Sequence, residues 1–259
     1  MISPAPTDAP ENAMKLLAID TSLPTGFVAA FDHDAFAVRT LSQPSEHARF
    51  LAGALEAVAA DCGWSVADAD MVAVVRGPGS FTGLRVGVTT AKVIAWTTGC
   101  RLLGVSACEA IARGTTAAMG GLDRPVWIAF DAGRGELFAA RAEPRADTPT
   151  GWRLDAGVIR SAAEWLATIP AGDVVSGPGL AAAAALLDAR PDLLVAPPTA
   201  WSPAISEVAA VARLRAAAGE ADDPAALVPD YIRPSYAEEP APPLSPPRDG
   251  GTIGPVFQP

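Results

Sequence analysis

The strongest constraint on the fold of this 259-residue chain is an order of elements that occurs twice. An apolar run, Lys15 to Ile19, ends at Asp20-Thr21-Ser22 and, after a turn containing Pro24 and Gly26, is followed by a hairpin partner, Phe27 to Phe31. A second run, Val126 to Phe130, ends at Asp131-Ala132-Gly133 and has its partner at Leu137 to Arg141. Downstream of each hairpin a strand runs into Gly-Pro-Gly and then a helix. The first is Met71 to Val75 into Gly77–Gly79, the second Val174-Val175 into Gly177–Gly179 and an alanine-rich stretch. This repetition predicts two related α/β lobes.

The remaining elements attach to that frame. Ala35 to Leu41 reads as a third strand. Ser45 reads as the N-cap of a helix with Phe50, Leu51, Ala54, Leu55, Val58 and Cys62 on one face and Gly63 as its stop. Leu102 to Val105 is a strand and Glu109 begins a helix, while Ser202-Pro203 opens a last helix that Gly219 closes. The expected division is a first lobe over 14–115 and a second over 116–201. A helix over 202–219 then packs back on the first lobe, and 220–233 is a closing segment. Residues 1–13, with three prolines, and 234–259, with eight, are expected to be disordered, and Met14 directly precedes the first strand.

Charge and composition narrow the chemistry. The formal net charge is −10, so the chain alone is not expected to hold RNA well. MISPAPTDAPENA lacks the basic start and apolar run of a signal peptide. No uninterrupted apolar stretch is long enough to span a membrane, so a cytoplasmic protein is expected. Cys62, Cys100 and Cys108 form no CxxC, which gives neither a disulfide framework nor a zinc cluster. The two histidines, His33 and His47, have no metal-ligand spacing, and neither follows Ser80 or Ser106 as a hydrolase triad requires.

The densest signal is VVRGPGSFTGLRVGVTTAKVIAW, Val74 to Trp96. Gly77 and Gly79 permit tight turns before a helix N-terminus, and Ser80, Thr82 and Arg85 follow, yet the GK[ST] ending of a phosphate-binding loop is missing. Within the helix Gly83, Gly87, Ala91 and Ala95 recur every fourth residue, forming a small-residue stripe against which another helix can close-pack, from this chain or from a partner. Leu84 lies on an adjoining face. No acidic residue occurs from Met71 to Cys108, whereas Arg76, Arg85, Lys92 and Arg101 do. This is a basic island suited to an acidic partner surface or a phosphate, or simply four solvated side chains.

Taken in order, LLAIDTS, GPGSFTGLRVGVTTAK, DAGRGELFAA and YIRP resemble the TsaB family over about residues 14 to 234. The resemblance implies a two-lobed actin-like, or Hsp70-like, ATPase fold of the ASKHA type. In actin-like ATPases, acidic residues at such strand ends face a nucleotide and its metal. Here DTSLPTG and DAGRGE lack the full glycine and threonine pattern, so Asp20, and Asp131 with Gly133, read as nucleotide-loop remnants or as turn caps. The resemblance further implies a non-catalytic subunit that needs no cofactor or metal of its own. Such a subunit supports a TsaD-like transferase that places threonylcarbamoyl on the adenosine beside the tRNA anticodon, with a TsaE-like ATPase as third component. tRNA would be reached indirectly through the complex, and for the isolated chain both a monomer and a homodimer stay open. The family's partner contact falls on the helices over Ser45–Cys62 and Phe81–Thr98. The expected interface is therefore Phe50, Leu51, Ala54, Leu55, Val58, Gly83, Leu84, Gly87, Ala91 and Ala95. The competing readings are a catalytic actin-like kinase or ATPase and, less favoured, a metallopeptidase-like protein. Trp96 is larger than the residue common at its position.

Overall fold

The computed structural model describes residues 14–33, 35–42 and 44–232, so the two segments expected to be disordered lie outside the described residues. Five strands form the first sheet: β1 (Leu16–Asp20), β2 (Gly26–Asp32), β3 (Ala35–Leu41), β4 (Met71–Gly77) and β5 (Arg101–Ser106). Their spatial order is β3-β2-β1-β4-β5. β1, β2 and β3 make antiparallel hairpins, whereas β4 and β5 join β1 in parallel. The parallel crossovers are made by helices α1 (Pro44–Asp61) and α2 (Phe81–Thr98), which cover one face together. β1 is buried along its whole length, as a central strand covered on both faces must be.

After α3 (Ala107–Ala118) a second sheet is built from β6 (Val126–Gly133), β7 (Glu136–Pro144), β8 (Trp152–Leu154), β9 (Val158–Ser161), β10 (Val174–Ser176) and β11 (Leu194–Val195). Its order is β11-β10-β6-β7-β8, with β9 also on β7. Helices α4 (Ala162–Thr168) and α5 (Leu180–Leu187) follow β9 and β10, and α6 (Ile205–Ala217) returns to the first sheet. One apolar core runs through both lobes. Leu16, Ala18 and Met71 of the first sheet and Val126, Ile128 and Phe130 of the second share it with Ile111 of α3 and Val211 of α6. The molecule is thus the two-lobed α/β fold implied by the doubled order.

Several local readings need correction. α1 begins at Pro44 rather than after a cap at Ser45; proline is tolerated in a first turn, where its missing N–H would have no helical partner. α3 starts at Ala107, two residues before Glu109. α6 starts at Ile205 with Ala204 as N-cap, so Ser202-Pro203 lies ahead of the helix. β8, β9, β11 and α4 had no counterpart in the sequence reading. α4 carried a readable signal, Ser161 and Glu164, whose side chains bond reciprocally to each other's backbone as a capping box.

Candidate functional site

The Gly-Pro-Gly loop and the first turn of α2 are closed by the chain itself. Ser80 caps α2, its hydroxyl accepting from Gly83 N–H at 3.3 Å, while its own N–H donates to the Ser22 carbonyl at 2.7 Å. Gly79 lies so close to Ser22 that a Cβ there would fall within 3.0 Å of the Ser22 backbone. Gly77, at φ +139°, admits the backbone of Asp230, whose N–H donates to the Arg76 carbonyl at 2.7 Å. The place where a phosphate loop would offer its N–H groups is therefore occupied by Ser22 on one side and by the segment before Ile232 on the other.

Asp20 and Asp131 each close their own turn. One Asp20 carboxylate oxygen accepts from both the N–H and the hydroxyl of Ser22, at 2.8 and 2.6 Å, and Asp131 accepts from Gly133 N–H at 2.7 Å. Asp131 is exposed, whereas Asp20 is buried. Burial pushes the Asp20 carboxyl above its ordinary value, against the opposing bonds from Ser22 and the nearby His47. A carboxyl whose folded pKa is raised contributes stability that is complete below the unfolded value and is lost as pH rises through the folded one. Asp20→Asn keeps an acceptor oxygen for Ser22 and removes the buried charge. The variant is expected to gain on the wild type as pH rises above about 4, and urea midpoints measured from pH 4 to 8 check this. His47 is itself buried beside Gly26, and His33 stands exposed at the β2–β3 turn. Burial pushes the Cys108 thiol up to about 12, which marks it as a packing residue rather than a nucleophile.

The small-residue stripe of α2 faces inward. A Cβ on Gly83 would fall within 3.0 Å of the Thr21 carbonyl oxygen, and one on Gly87 equally close to the Thr21 hydroxyl, which donates to the Gly83 carbonyl at 2.7 Å. Ala91 and Ala95 are buried in the core between the first sheet and its two helices, with Leu51, Leu55 and Val58 of α1. Eight of the ten expected interface residues, all but Phe50 and Ala54, are thus enclosed by their own chain and present no surface to a partner. The correction has a simple cause: a helical period identifies a face but not what lies opposite, and here the close approach is to the backbone of the β1–β2 turn.

The basic island is also largely committed. Arg76 Nε lies 3.3 Å from an Asp230 carboxylate oxygen, Lys92 donates to the Leu227 carbonyl at 3.0 Å, and Arg101 donates to the Ala216 carbonyl at 3.0 Å. Three of the four cations thereby anchor the returning C-terminal part of the chain. Arg85 remains on the outer face of α2, over the Phe81 ring at 5.2 Å.

That outer face exposes several apolar side chains, as do other parts of the surface such as Phe36 of β3. Phe50 on α1 is 44% accessible, and Phe81, Val93 and Trp96 on α2 are 42%, 48% and 61%. Each aromatic ring has a cation over it: Arg49 on Phe50 at 5.0 Å, Arg85 on Phe81, and Lys92 on Trp96 at 5.8 Å. Tyr231 packs on Phe81 with ring centroids 4.6 Å apart. Thr82 is exposed beside them. Aromatic residues and arginine are enriched at protein–protein interfaces, whereas lysine, which lies over Trp96 here, is depleted there. Sequence reasoning missed Phe81, Val93 and Trp96 as a set, although they lie opposite the stripe it singled out.

The family model for TsaD, tRNA N6-adenosine threonylcarbamoyltransferase, matches residues 40–151. The chain is 35% identical over 130 residues to the tRNA threonylcarbamoyladenosine biosynthesis protein TsaB of Bacillus subtilis, covering 48% of this chain and 53% of that protein. It is 33% identical over 224 residues to the uncharacterized protein Rv3421c of Mycobacterium tuberculosis, covering 84% of this chain and 91% of that one. YeaZ from Pseudomonas aeruginosa superposes with a TM-score of 0.69 at 22% identity, over 84% of this chain and 99% of that chain. The chain is thus similar to TsaB proteins over about half of its length and has the fold of YeaZ. It spans about half the length of the curated TsaB relatives it matches, 53% and 54% for the Bacillus and Escherichia coli proteins. Among the described residues the outer face of α1 and α2 is one of several places where apolar side chains are exposed, Phe36 on β3 and Val228 being others. Among the described residues no helix is long and apolar enough to cross a membrane.

Proposed function

We propose that the chain is a non-catalytic subunit in tRNA threonylcarbamoyladenosine biosynthesis, docking a TsaD-like transferase through the outer faces of α1 and α2. The observation that carries this reading is the set of exposed apolar side chains along the outer faces of α1 and α2, Phe50, Phe81, Val93 and Trp96, the three rings each with a cation over them, together with a Gly-Pro-Gly loop already filled by Ser22 and Asp230. A TsaE-like ATPase completes the assembly, tRNA is reached through the complex, and a homodimer would use the same face. The reading as an actin-like kinase or ATPase is disfavoured by the cleft between the lobes. Two adjoining cavities of about 310 and 280 Å³ there share Arg76, Ser106 and Leu154. Against Arg76 and Arg215 the cleft sets Glu109, Asp155, Glu220, Asp222 and Asp230, a balance that repels a polyphosphate.

The test is co-purification with the TsaD-like protein of the same organism, followed by reconstitution from threonine, bicarbonate, ATP and tRNA. The expected result is a stable complex, with modification only when the transferase is present. Turnover by this chain alone, or no complex at micromolar concentrations, would overturn the proposal.

A further inference from the structure

After α6 the chain recrosses the first lobe as a strap and runs alongside α2. Gly104 N–H donates to the Asp222 carboxylate at 2.8 Å, which fixes the start of the strap. Leu227 is its buried anchor, in the core between the first sheet and helices α1 and α2. It seats over Gly104, where a Cβ would come within 3.0 Å of a Leu227 methyl. The Leu227 carbonyl accepts from Lys92 at 3.0 Å, and further on the Asp230 N–H donates to the Arg76 carbonyl at 2.7 Å. Tyr231 then packs on Phe81. From Lys92 back to Phe81 is roughly 16 Å of α2 at the helical rise, so the strap accompanies about three turns of that helix.

Two large apolar side chains stand out of this pinned segment. Val228 is 61% accessible and Tyr231 37%. Both adjoin the exposed groups of α2. Tyr231 touches Phe81 directly, with ring centroids 4.6 Å apart. Val228 is one peptide bond beyond the carbonyl that holds Lys92, and the same ammonium lies 5.8 Å from the centre of the Trp96 ring. The exposed apolar surface of α2 thus continues onto the strap. Anchors on both sides of Val228 hold its backbone in place, so little ordering remains to be done when a partner covers it. Tyr231 offers an apolar body with a polar tip, which suits a contact that is dry on one side and wet on the other.

The charge of the partner follows from the same face. Among the described residues Arg49, Arg85 and Lys92 pair with no carboxylate, whereas Arg76, Arg113 and Arg215 each do. Unpaired cations around apolar groups are complemented by carboxylates on the opposing surface. We infer that the strap is part of the docking surface: Val228 and Tyr231 join Phe81 and Trp96 in binding an apolar partner surface that sets carboxylates against Arg85 and Lys92. The partner is the TsaD-like transferase, so this assignment rests on the proposed function.

Calorimetric titration of the full chain with that transferase, beside thermal unfolding of each variant, provides the test. Tyr231→Ala is expected to weaken binding about tenfold, the loss of one aromatic contact. Val228 is replaced by Asp and, separately, by Lys. Its side chain lies at the surface, so neither change should shift unfolding. Against partner carboxylates, Val228→Asp should weaken binding by about tenfold or more, and Val228→Lys by no more than about threefold. If Tyr231→Ala lowers the melting point, the two Val228 variants alone decide the matter. Wild-type affinity in both Tyr231→Ala and Val228→Asp would overturn the inference and leave the proposed function to be judged on Trp96→Ala. Equal losses for the two charges at Val228 would overturn the acidic partner surface. No complex with the wild-type chain would remove the proposed function and this assignment together.

Discussion

Gly83→Ala is expected to lower the stability of this protein by about 3 kcal/mol, the upper range for overfilling a tight contact. Glycine-to-alanine in a helix interior ordinarily gains about 0.5–1 kcal/mol, so the sign itself is diagnostic. The new methyl would meet the carbonyl oxygen of Thr21, a backbone atom that can retreat only by moving the buried β1–β2 turn. Gly87→Ala meets a hydroxyl instead, which can rotate away by giving up its bond to the Gly83 carbonyl. Its cost should be smaller, of the order of the ~1 kcal/mol of a net hydrogen bond. Gly53 on α1 has nothing within 4 Å of its would-be Cβ, so Gly53→Ala should stabilise and serves as the internal control. Urea midpoints at constant slope decide the ranking. If Gly83→Ala unfolds like the wild type, the stripe is not the intrachain contact described here.

Trp96→Ala separates docking from folding in the opposite way. The ring is 61% exposed, and its removal leaves the Lys92 bond to the Leu227 carbonyl intact. Stability should change by no more than about 0.5 kcal/mol, the usual range for a surface substitution. Under the proposed function, binding to the TsaD-like partner should weaken by about 2 kcal/mol, roughly 30-fold, as for an aromatic anchor at the centre of an interface. Calorimetric titration beside a thermal melt reads both numbers. Unchanged affinity would remove Trp96 from the docking face. Lost affinity accompanied by a lower melting point would instead make it a structural residue.

These two sites show where the sequence was legible. The hairpin turns at Asp20 and Asp131, the strands before each Gly-Pro-Gly, and the span of α2 followed from period and turn chemistry, which are local. Orientation did not. Gly83, Gly87, Ala91 and Ala95 mark a close approach, but the group that fills it, Thr21, lies some sixty residues earlier in the chain. The basic island misled for the same reason, since Asp230 and the carbonyls of Ala216 and Leu227 become its partners only in the folded chain. β8, β9 and β11 span only two to four residues each, too short for an alternating pattern to register.

A ribosome making this chain releases β1 to β5 long before the helix that covers one face of their sheet. Leu16, Ala18, Met71 and Leu103 are sealed by Val208, Ala209, Val211 and Ala212 of α6, and Asp222 N–H then reaches the Leu102 carbonyl at 2.8 Å. The whole second sheet is synthesised in between, as if inserted into a lobe still under construction. At about 5–20 residues per second the apolar face would wait roughly 5–20 s for its cover. During that time the nascent sheet is a natural client for holding chaperones, and a chain halted before α6 would present that surface permanently. The completion of the first lobe is therefore timed by a segment that emerges only after the whole second sheet.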